Sequence, residues 1–232
     1  MKRFWKVAEA GRESDGWRVL LDGRGVRTVG GKPQVVPTEA LAEALVAEWA
    51  AQGETVDPAL FVLRDLADYA LDVVAPDPAI MVRELLPYAE TDTLSYRGDL
   101  DEPLFARQEA VWEPLLAGAE ARWQVRFPRV SGVMAKPLPP ETRETLTAII
   151  EAHDPFAIAA LKMLTSLSAS LVIALEALEP DADIAALWNA ANLEEDWQAE
   201  LWGLDFEAEQ RREARLEAFQ LAARFAELAR SR

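Results

Sequence analysis

The sequence predicts an α+β protein in which a small β-rich N-terminal region with one or two helices precedes a larger helical region. Alternating apolar residues bounded by Gly and Pro fill residues 1–37, which is typical of short antiparallel strands. From residue 38 onward, apolar residues recur every three or four positions, the period of amphipathic helices. Two prolines, Pro76 and Pro78, interrupt that pattern. We therefore expect one domain at residues 1–76 and a second at residues 77–232.

The predicted sheet is a small antiparallel meander. Residues 4–7 open it, the run 17–21 supplies its clearest strand, and short strands follow the turns at 22–25 and 30–33. The glycines of these turns lack the Gly-x-Gly-x-x-Gly spacing of a nucleotide-binding loop. A nucleotide site is therefore not predicted in this region.

Two amphipathic helices are predicted after the sheet. Thr38 is the expected N-cap of the first helix, and Gly53 is its expected stop. Its apolar stripe recurs every four residues, at Leu41, Leu45 and Trp49. The second helix carries a stripe at Leu63, Leu66, Ala70 and Val73. Its opposite face carries Asp65, Asp68 and Asp72, for which a solvated surface is favoured over a metal site.

The remaining chain predicts mostly helices. Helical patterns cover residues 80–86, where Pro87 ends or kinks the helix, and then residues 104–116, 141–152 and 181–191, with β character at 123–133. The apolar run 156–178 is long enough on paper to span a bilayer. It contains Lys162 and Glu176, and no basic anchor follows it, which favours a buried central helix of a soluble bundle.

Two polar residues stand out between the predicted helices of this region. Asp92 and Arg97 lie in a stretch that also contains Tyr88 and Tyr96. They either pair as a buried polar fixture or face a ligand. The structural role is favoured over the ligand role.

The stretch 192–203 predicts a helix with an unusual combination of side chains. Three consecutive acids precede two tryptophans, in the order Glu194, Glu195, Asp196, Trp197 and Trp202. Asn192 is the expected N-cap and Gly203 the expected C-cap, while helical spacing puts Leu193, Trp197 and Leu201 on one face. The stretch is either a core helix with capping acids, which spacing alone favours, or a surface that receives a partner.

A final helix is predicted to follow this stretch. Asp205 is its expected cap, and it runs to Arg230 with an apolar stripe at Leu221, Phe225 and Leu228. Residues 210–213 mix both charge signs, which is typical of a solvated face.

Composition excludes several classes of function. The chain has 232 residues with 40 acids against 24 Lys and Arg, for a net charge of −16. That charge repels phosphate backbones and anionic lipid but attracts a basic protein surface. Cysteine is absent, so neither a disulfide nor a thiolate site can form. The N-terminus shows no signal peptide and no import leader, which predicts a bacterial-type cytoplasmic protein without membrane insertion.

Catalytic chemistry is the weaker hypothesis. A Ser-His-Asp arrangement would need His153 with one of Ser166, Ser168 or Ser170, which lie in an apolar helix without a nucleophile elbow. The chain contains neither a phosphate-binding loop motif nor His-Glu-x-x-His. Carboxylate-only catalysis would need Glu194, Glu195 or Asp196 with a partner acid that the sequence cannot place. We therefore predict no catalytic residue, no metal and no cofactor.

Several blocks of residues, taken in order, resemble the Atp-twelve family of assembly chaperones for the F1 sector of ATP synthase. The N-terminal blocks are Arg3-Phe4-Trp5-Lys6, Trp17-Arg18-Val19-Leu20-Leu21-Asp22-Gly23-Arg24, Val26-Arg27-Thr28, Pro37-Thr38, Glu48-Trp49 and Gln52-Gly53. The later blocks are Tyr88-Ala89-Glu90-Thr91-Asp92, Tyr96-Arg97, Arg107-Gln108, Trp112, Glu195-Asp196-Trp197-Gln198 and Trp202-Gly203. Together they span nearly the whole chain.

The resemblance implies a small β-rich domain followed by an orthogonal helical bundle. It also implies a chaperone that binds the unassembled F1 alpha subunit and prevents its aggregation until it meets the beta subunit. The family's sensitive acid is carried over to Glu195, with Glu194 and Asp196 as neighbours in an uncertain register. The expected partner-binding residues are Glu195, Glu194, Asp196, Trp197, Gln198, Trp202, Asp92 and Arg97.

Two alternative functions stay open at this point. One is a carboxylate- or metal-dependent hydrolase with its site in the helical bundle, and the other is a general acidic adaptor. For the chaperone we expect a monomer when it is free.

Overall fold

The structure, a computed structural model, describes residues 2–132, 136–203 and 206–230. It confirms the α+β class, with a small N-terminal sheet followed by helices. Contacts group the chain into two compact units. One contains Met1–Pro78, Asp154–Ala160 and Leu221–Arg232, and the other contains Ala79–His153 and Leu161–Gln220. Two independently folding domains divided at residue 76 stay a prediction.

The sheet is built around one hairpin. Strands β1 (Ala8–Glu13) and β2 (Gly16–Leu21) pair antiparallel along their whole length. The other edge of β2 is shared by β3 (Arg24–Gly25) and β4 (Val35–Val36). A simple meander was therefore the wrong topology. Because β3 has two residues and covers only the end of β2, the first half of that edge is free to pair with β4.

The N-terminal segment is held by a side chain rather than by a strand ladder. The predicted strand at residues 4–7 does not form, and β1 begins at Ala8. The Asp22 carboxylate accepts hydrogen bonds from the backbone N–H groups of Lys6 and Val7, at 2.9–3.2 Å. Trp5 is buried edge-on against Trp49, with ring centroids 5.0 Å apart. Together with a single backbone bridge between Lys2 and Thr55, these contacts hold the start of the chain.

Helix α1 (Glu39–Ala50) matches the sequence prediction closely. The Thr38 hydroxyl accepts a hydrogen bond from the Leu41 N–H at 3.1 Å, which confirms Thr38 as the N-cap. The predicted stripe of Leu41, Leu45 and Trp49 is buried. The helix ends three residues before Gly53, the predicted stop.

Helix α2 (Val62–Tyr69) continues into a π-helical turn, Ala70–Val74. A π turn inserts one extra residue and rotates the following side chains. Val74 is therefore buried, whereas Val73, which the helical stripe predicted to be apolar core, is 38% exposed. The regular 3.6-residue period could not predict this shift.

Two of the three aspartates on this segment were wrongly assigned to a solvated face. The buried Asp68 carboxylate accepts hydrogen bonds from Gln34 Nε2 at 2.5 Å and from the Val29 N–H at 3.1 Å. The Asp72 carboxylate accepts hydrogen bonds from the Gly30 N–H at 2.7 Å and the Thr28 hydroxyl at 2.9 Å. Both carboxylates therefore fix the turn that leads into β4.

The chain after residue 77 is mainly helical in its described part. Its helices are α3 (Pro78–Glu90), α4 (Pro103–Trp123), α5 (Pro140–Glu151), α6 (Pro155–Ser168), α7 (Leu171–Glu176), α8 (Ile184–Ala191), α9 (Leu193–Trp202) and α10 (Phe206–Ala229). The β character predicted at 123–133 reduces to β6 (Val130–Ser131), which pairs parallel with β5 (Tyr96–Arg97). Val133, at the end of that predicted segment, and Asp205, the predicted cap of the last helix, lie outside the described residues.

Two prolines lie inside helices, and the sequence predicted one of them, Pro87, to end or kink its helix. Helix α3 continues past Pro87 to Glu90, and α4 continues past Pro114 to Trp123. Proline removes one helical hydrogen bond. Residues beyond each proline are almost fully buried, among them Ala89 and Leu116. Burial of these side chains stabilises the continued helix.

The apolar run 156–178 is two helices rather than one. The chain turns between α6 and α7 at Ala169, which adopts a left-handed conformation with φ 51°. The Ser170 hydroxyl then caps α7 by accepting a hydrogen bond from the Ile173 N–H at 3.0 Å. Within the described residues, none of the helices combines the length and apolar character that crossing a bilayer requires.

Candidate functional site

Helix α9 starts without the predicted side-chain cap. The Asn192 amide Nδ2 donates to the Trp188 carbonyl of the preceding helix at 2.8 Å, and no cap hydrogen bond forms. Asn192 therefore occupies the predicted N-cap position, but its side chain does not cap the helix because it turns back onto α8. Gly203 ends the helix with φ 78°, which confirms the predicted C-cap. The acids of the first turn still lie where the helix dipole favours negative charge.

The apolar residues of α9 become more exposed along the helix. Leu193 is buried and Trp197 is half-buried. Leu201 is 56% exposed and Trp202 is 77% exposed. The predicted stripe of Leu193, Trp197 and Leu201 is therefore buried only at its start. The C-terminal end of α9 presents large apolar side chains to solvent.

Polar side chains of α4 hold one side of α9. The Glu194 carboxylate accepts a hydrogen bond from Gln108 Nε2 at 2.7 Å. The Arg107 guanidinium makes two parallel bonds to the Glu200 carboxylate, at 2.6 and 2.7 Å, and these bonds lower the pKa of Glu200. The same guanidinium lies 5.6 Å from the centre of the Trp197 ring, a cation–π contact. Glu194 and Trp197 are therefore tied to α4.

Arginines of α10 hold the other side of α9. Arg215 pairs with Glu195 at 3.3 Å, and Arg212 pairs with Asp196. Arg215 also donates to the Leu167 carbonyl at 3.1 Å. The three predicted acids thus all have internal partners, although the Glu195 side chain remains 58% exposed.

Residues 210, 211 and 213 are exposed, as the prediction of a solvated face at residues 210–213 requires, but Arg212 departs from it. Arg212 is only 29% exposed and is paired. The residues missed by sequence reasoning are Arg107, Arg212 and Arg215. The sequence did contain a signal for two of them, since Arg212 and Arg215 are three apart and share a helix face.

Helices α9 and α10 line an open cleft with a volume of about 440 Å³, here called the α9–α10 cleft. Its lining includes Glu195, Gln198, Trp202, Arg211, Arg212 and Arg215. Phe206, the first residue of α10, is 72% exposed. The cleft therefore brings together three of the predicted partner-binding residues: Glu195, Gln198 and Trp202. Its volume suits one or two side chains.

The predicted site residue Asp92 lies in the interior of the second unit. Its carboxylate accepts hydrogen bonds from the Leu94 N–H at 3.0 Å and from the Val172 N–H at 3.1 Å. It is fully buried, and burial raises its pKa to about 6. Hydrogen bonds from Ser170 and from backbone N–H groups act in the opposite direction. Asp92 thus fastens the start of α7.

Arg97 is also buried, with partners other than Asp92. Its guanidinium bonds Glu109 at 2.7 Å and the Leu94 carbonyl, and it lies 5.4 Å from the centre of the Trp112 ring. Asp92 and Arg97 therefore occupy neighbouring polar networks rather than one pair. Their burial fits the structural role that the sequence favoured.

The residues considered for catalysis make structural hydrogen bonds. His153 Nδ1 lies 2.7 Å from the Ile149 carbonyl oxygen. The Ser168 hydroxyl donates to the Leu164 carbonyl at 2.8 Å, and Ser170 caps α7. In the described ranges, no group of three or more His, Asp or Glu residues is arranged to hold a metal ion. The hydrolase alternative finds no support in this geometry.

Comparison with known proteins identifies relatives along the whole chain. The sequence model of the family described as ATP12 chaperone protein matches residues 2–120. The crystal structure of Atp12 from Paracoccus denitrificans is 37% identical, with a TM-score of 0.92 over 99% of this chain and 98% of that one. A putative chaperone from Agrobacterium tumefaciens is 36% identical, with a TM-score of 0.93 over 99% of this chain and 86% of that one.

A curated relative comes from a more distant organism. "Protein atp12, mitochondrial" of Schizosaccharomyces pombe is 23% identical over 214 residues, which are 87% of this chain and 74% of that protein. The family profile covers more than half of the chain, and the Paracoccus structure matches it nearly end to end. The chain therefore belongs to the ATP12 chaperone family, as its sequence blocks indicated.

Proposed function

We propose that this chaperone of ATP synthase assembly binds the unassembled F1 alpha subunit. In this proposal it keeps the alpha subunit from aggregating until the beta subunit takes its place. Membership of the ATP12 chaperone family supports the assembly role and implies a chaperone rather than an enzyme. An unassembled subunit exposes surface meant for its neighbours, and such surface aggregates. The proposal further places the chain in the bacterial cytoplasm, as a monomer when free.

The observation that carries this proposal is the exposed apolar end of α9. Leu201 and Trp202 stand in solvent beside the charged side chains that line the α9–α10 cleft. Protein interfaces combine buried aromatic anchors with a polar rim. Trp202 is 77% exposed, so packing within the chain does not explain a large aromatic side chain at this position. It is therefore suited to cover apolar surface on another protein.

The contact residues are proposed to act in two ways. Glu195, Gln198 and Trp202 line the cleft and would touch the partner directly. Glu194, Asp196 and Trp197 are fastened to neighbouring helices and would fix the position of α9. Asp92 and Arg97 are buried and would support the helices behind this surface.

Net charge supports a basic partner surface. The second unit holds 12 Lys and Arg residues against 25 Asp and Glu, so it carries 13 of the 16 net negative charges. Complementary charge speeds association and orients the partners. The beta subunit can displace the chain from the alpha subunit only if the chain binds with moderate affinity. Contacts between exposed charges provide affinity of this order.

Aggregation of the alpha subunit tests the proposal. Denatured F1 alpha subunit is diluted into buffer with increasing amounts of the chain, and light scattering is followed. We expect scattering to fall to a plateau near one chain per alpha subunit, and added beta subunit to release the chain. Serum albumin at the same concentration is the control. Scattering that matches the albumin control would rule the proposal out.

A further inference from the structure

Arg211 differs from the other two arginines of the α9–α10 cleft. Arg212 and Arg215 each pair with an acid of α9. Arg211 instead lies 3.7 Å from Glu207 of its own helix, and these two side chains are 67% and 84% exposed. Exposed pairs of this kind contribute little stability. The Arg211 guanidinium can therefore exchange this contact for another carboxylate at small cost.

Exposed aromatic side chains lie at the adjoining ends of α9 and α10. Trp202 lines the same cleft as Arg211, and it is 77% exposed. Phe206 begins the helix that carries Arg211 and is 72% exposed. Tryptophan and arginine are the residues most enriched among energetic hot spots of protein interfaces. The cleft thus offers one polar and one aromatic contact to the same incoming segment.

The charges of the lining select the sign of that segment. Three arginines and one acid, Glu195, are among the lining residues, and Arg215 already pairs with that acid. Arg212 is likewise paired with Asp196, so the exposed Arg211 is the lining guanidinium that is most accessible to a partner. A carboxylate would meet Arg211, whose planar guanidinium binds carboxylates through two parallel hydrogen bonds.

We propose that the α9–α10 cleft binds a partner segment in which an aspartate or glutamate lies next to an apolar side chain. The carboxylate bonds Arg211, and the apolar side chain packs on Trp202. The identity of the partner as the F1 alpha subunit rests on the proposed function. The rest of the second unit is strongly acidic and repels a partner carboxylate. The carboxylate therefore binds at the cleft, and this contact fixes the orientation of the bound partner.

Affinity measurements on matched variants test the cleft. Dissociation constants for the F1 alpha subunit are measured with the unchanged chain, with Arg211→Glu and with Trp202→Ala. Arg224→Glu is the control, since Arg224 is an exposed arginine of the same helix outside the cleft lining. We expect a loss of about tenfold or more for each cleft variant, and less than about threefold for the control.

Chemical cross-linking tests the sign of the bound group. Arg211→Lys places a primary amine in the cleft, and a carbodiimide joins amines to carboxylates that touch them. We expect a cross-link from position 211 to an Asp or Glu of the alpha subunit that has an apolar neighbour. The same experiment with Arg224→Lys should give no such product. Cross-links confined to Glu207 or Glu195 of the chain itself would overturn the inference.

The two proposals can fail separately. If the unchanged chain binds the alpha subunit and both cleft variants bind equally well, the inference is wrong and the chaperone function stands. If the unchanged chain does not bind the alpha subunit, the proposed function and the inference fall together.

Discussion

Asp92 is a titratable residue in the interior of the second unit. It is fully buried, and backbone N–H groups from two segments of the chain point at its carboxylate. Burial favours the neutral acid, whereas these donors favour the charged form. Burial prevails, and the pKa of Asp92 rises from 3.8 to about 6. This difference corresponds to about 3 kcal/mol between the two protonation states.

The raised pKa of Asp92 predicts the direction of a pH effect on stability. The folded state binds this proton more tightly than the unfolded state does, so folding is favoured by this group below pH 4. That contribution is lost as the pH rises through about 6. We expect the Asp92 carboxyl carbon to titrate in an NMR experiment with a midpoint near 6. A midpoint at or below 4 would contradict the assigned balance.

Glu195 and Arg215 allow internal pairing to be separated from partner binding. Glu195→Lys removes one exposed ion pair, so we expect the free energy of unfolding to fall by about 1 kcal/mol or less. Affinity for the alpha subunit should fall much more, because Glu195 lines the cleft that is proposed to touch the partner and the new lysine repels Arg215 there. Chemical denaturation and binding are measured on the same preparations.

The exchanged pair, Glu195→Lys with Arg215→Glu, is the control for that prediction. It should restore the contribution of the ion pair to the free energy of unfolding, although not the bond from Arg215 to the Leu167 carbonyl, and it should not restore the affinity. Recovery of both quantities would show that Glu195 acts by positioning α9 through Arg215 rather than by contact with the partner.

At the scale of elements, α9 is held from two sides and exposed at one end. Arg107 of α4 and Arg215 of α10 bond acids on opposite sides of the helix. Its apolar C-terminal end lies beyond these contacts, and Trp202 is 77% exposed there. A helix fixed in this way presents its end in one orientation. A fixed orientation lowers the entropy cost of binding a partner.

The turn between α6 and α7 predicts a stabilising substitution. Ala169 is exposed and has φ 51°, a conformation that glycine adopts more easily than alanine. We expect Ala169→Gly to raise the free energy of unfolding by up to about 1 kcal/mol. The matched control Ala214→Gly, at an exposed position inside α10, should lower it by about 1 kcal/mol. Denaturant unfolding measures the free energy of unfolding of both variants. A lower value for Ala169→Gly than for the unchanged chain would show that the backbone at Ala169 is not strained.

Local sequence signals predicted the positions of helices better than they predicted the contacts that each helix makes with the rest of the fold. Thr38 caps α1 as expected, because a cap depends on residues a few positions away. Asn192 had the same local signal and failed, because its amide found the Trp188 carbonyl instead. Pro87 was predicted to end or kink its helix, but burial of Ala89 beyond it stabilises the continuation of α3 to Glu90. Such competition depends on packing that a single sequence does not display.

The candidate site was predictable in its acids and tryptophans but not in their partners. The sequence placed Glu195 and Trp202 on one helix correctly. It could not show that Arg107 and Arg215, which are distant in sequence, neutralise acids of that helix. Long-range pairing of this kind follows from the fold rather than from local spacing. The acids of α9 therefore hold the helix in place through these ion pairs and also form part of its exposed surface.

At the scale of the whole molecule, charge and apolar exposure support the same function. The second unit carries most of the net charge of −16, and its α9 ends in exposed apolar side chains. Acidic surface keeps the chain soluble and attracts basic partners. The exposed apolar end of α9 can cover exposed apolar surface on a partner. The chain therefore combines a long-range attraction with a short-range apolar contact.

Hydrogen–deuterium exchange with and without the F1 alpha subunit tests whether α9 and the start of α10 form the contact surface. Amides that leave solvent at an interface exchange more slowly. We predict slower exchange at residues 194–203 and 206–216 in the complex, and unchanged exchange in the β1–β2 hairpin. A complex that forms with no change in α9 and α10, and with protection elsewhere, would contradict this prediction.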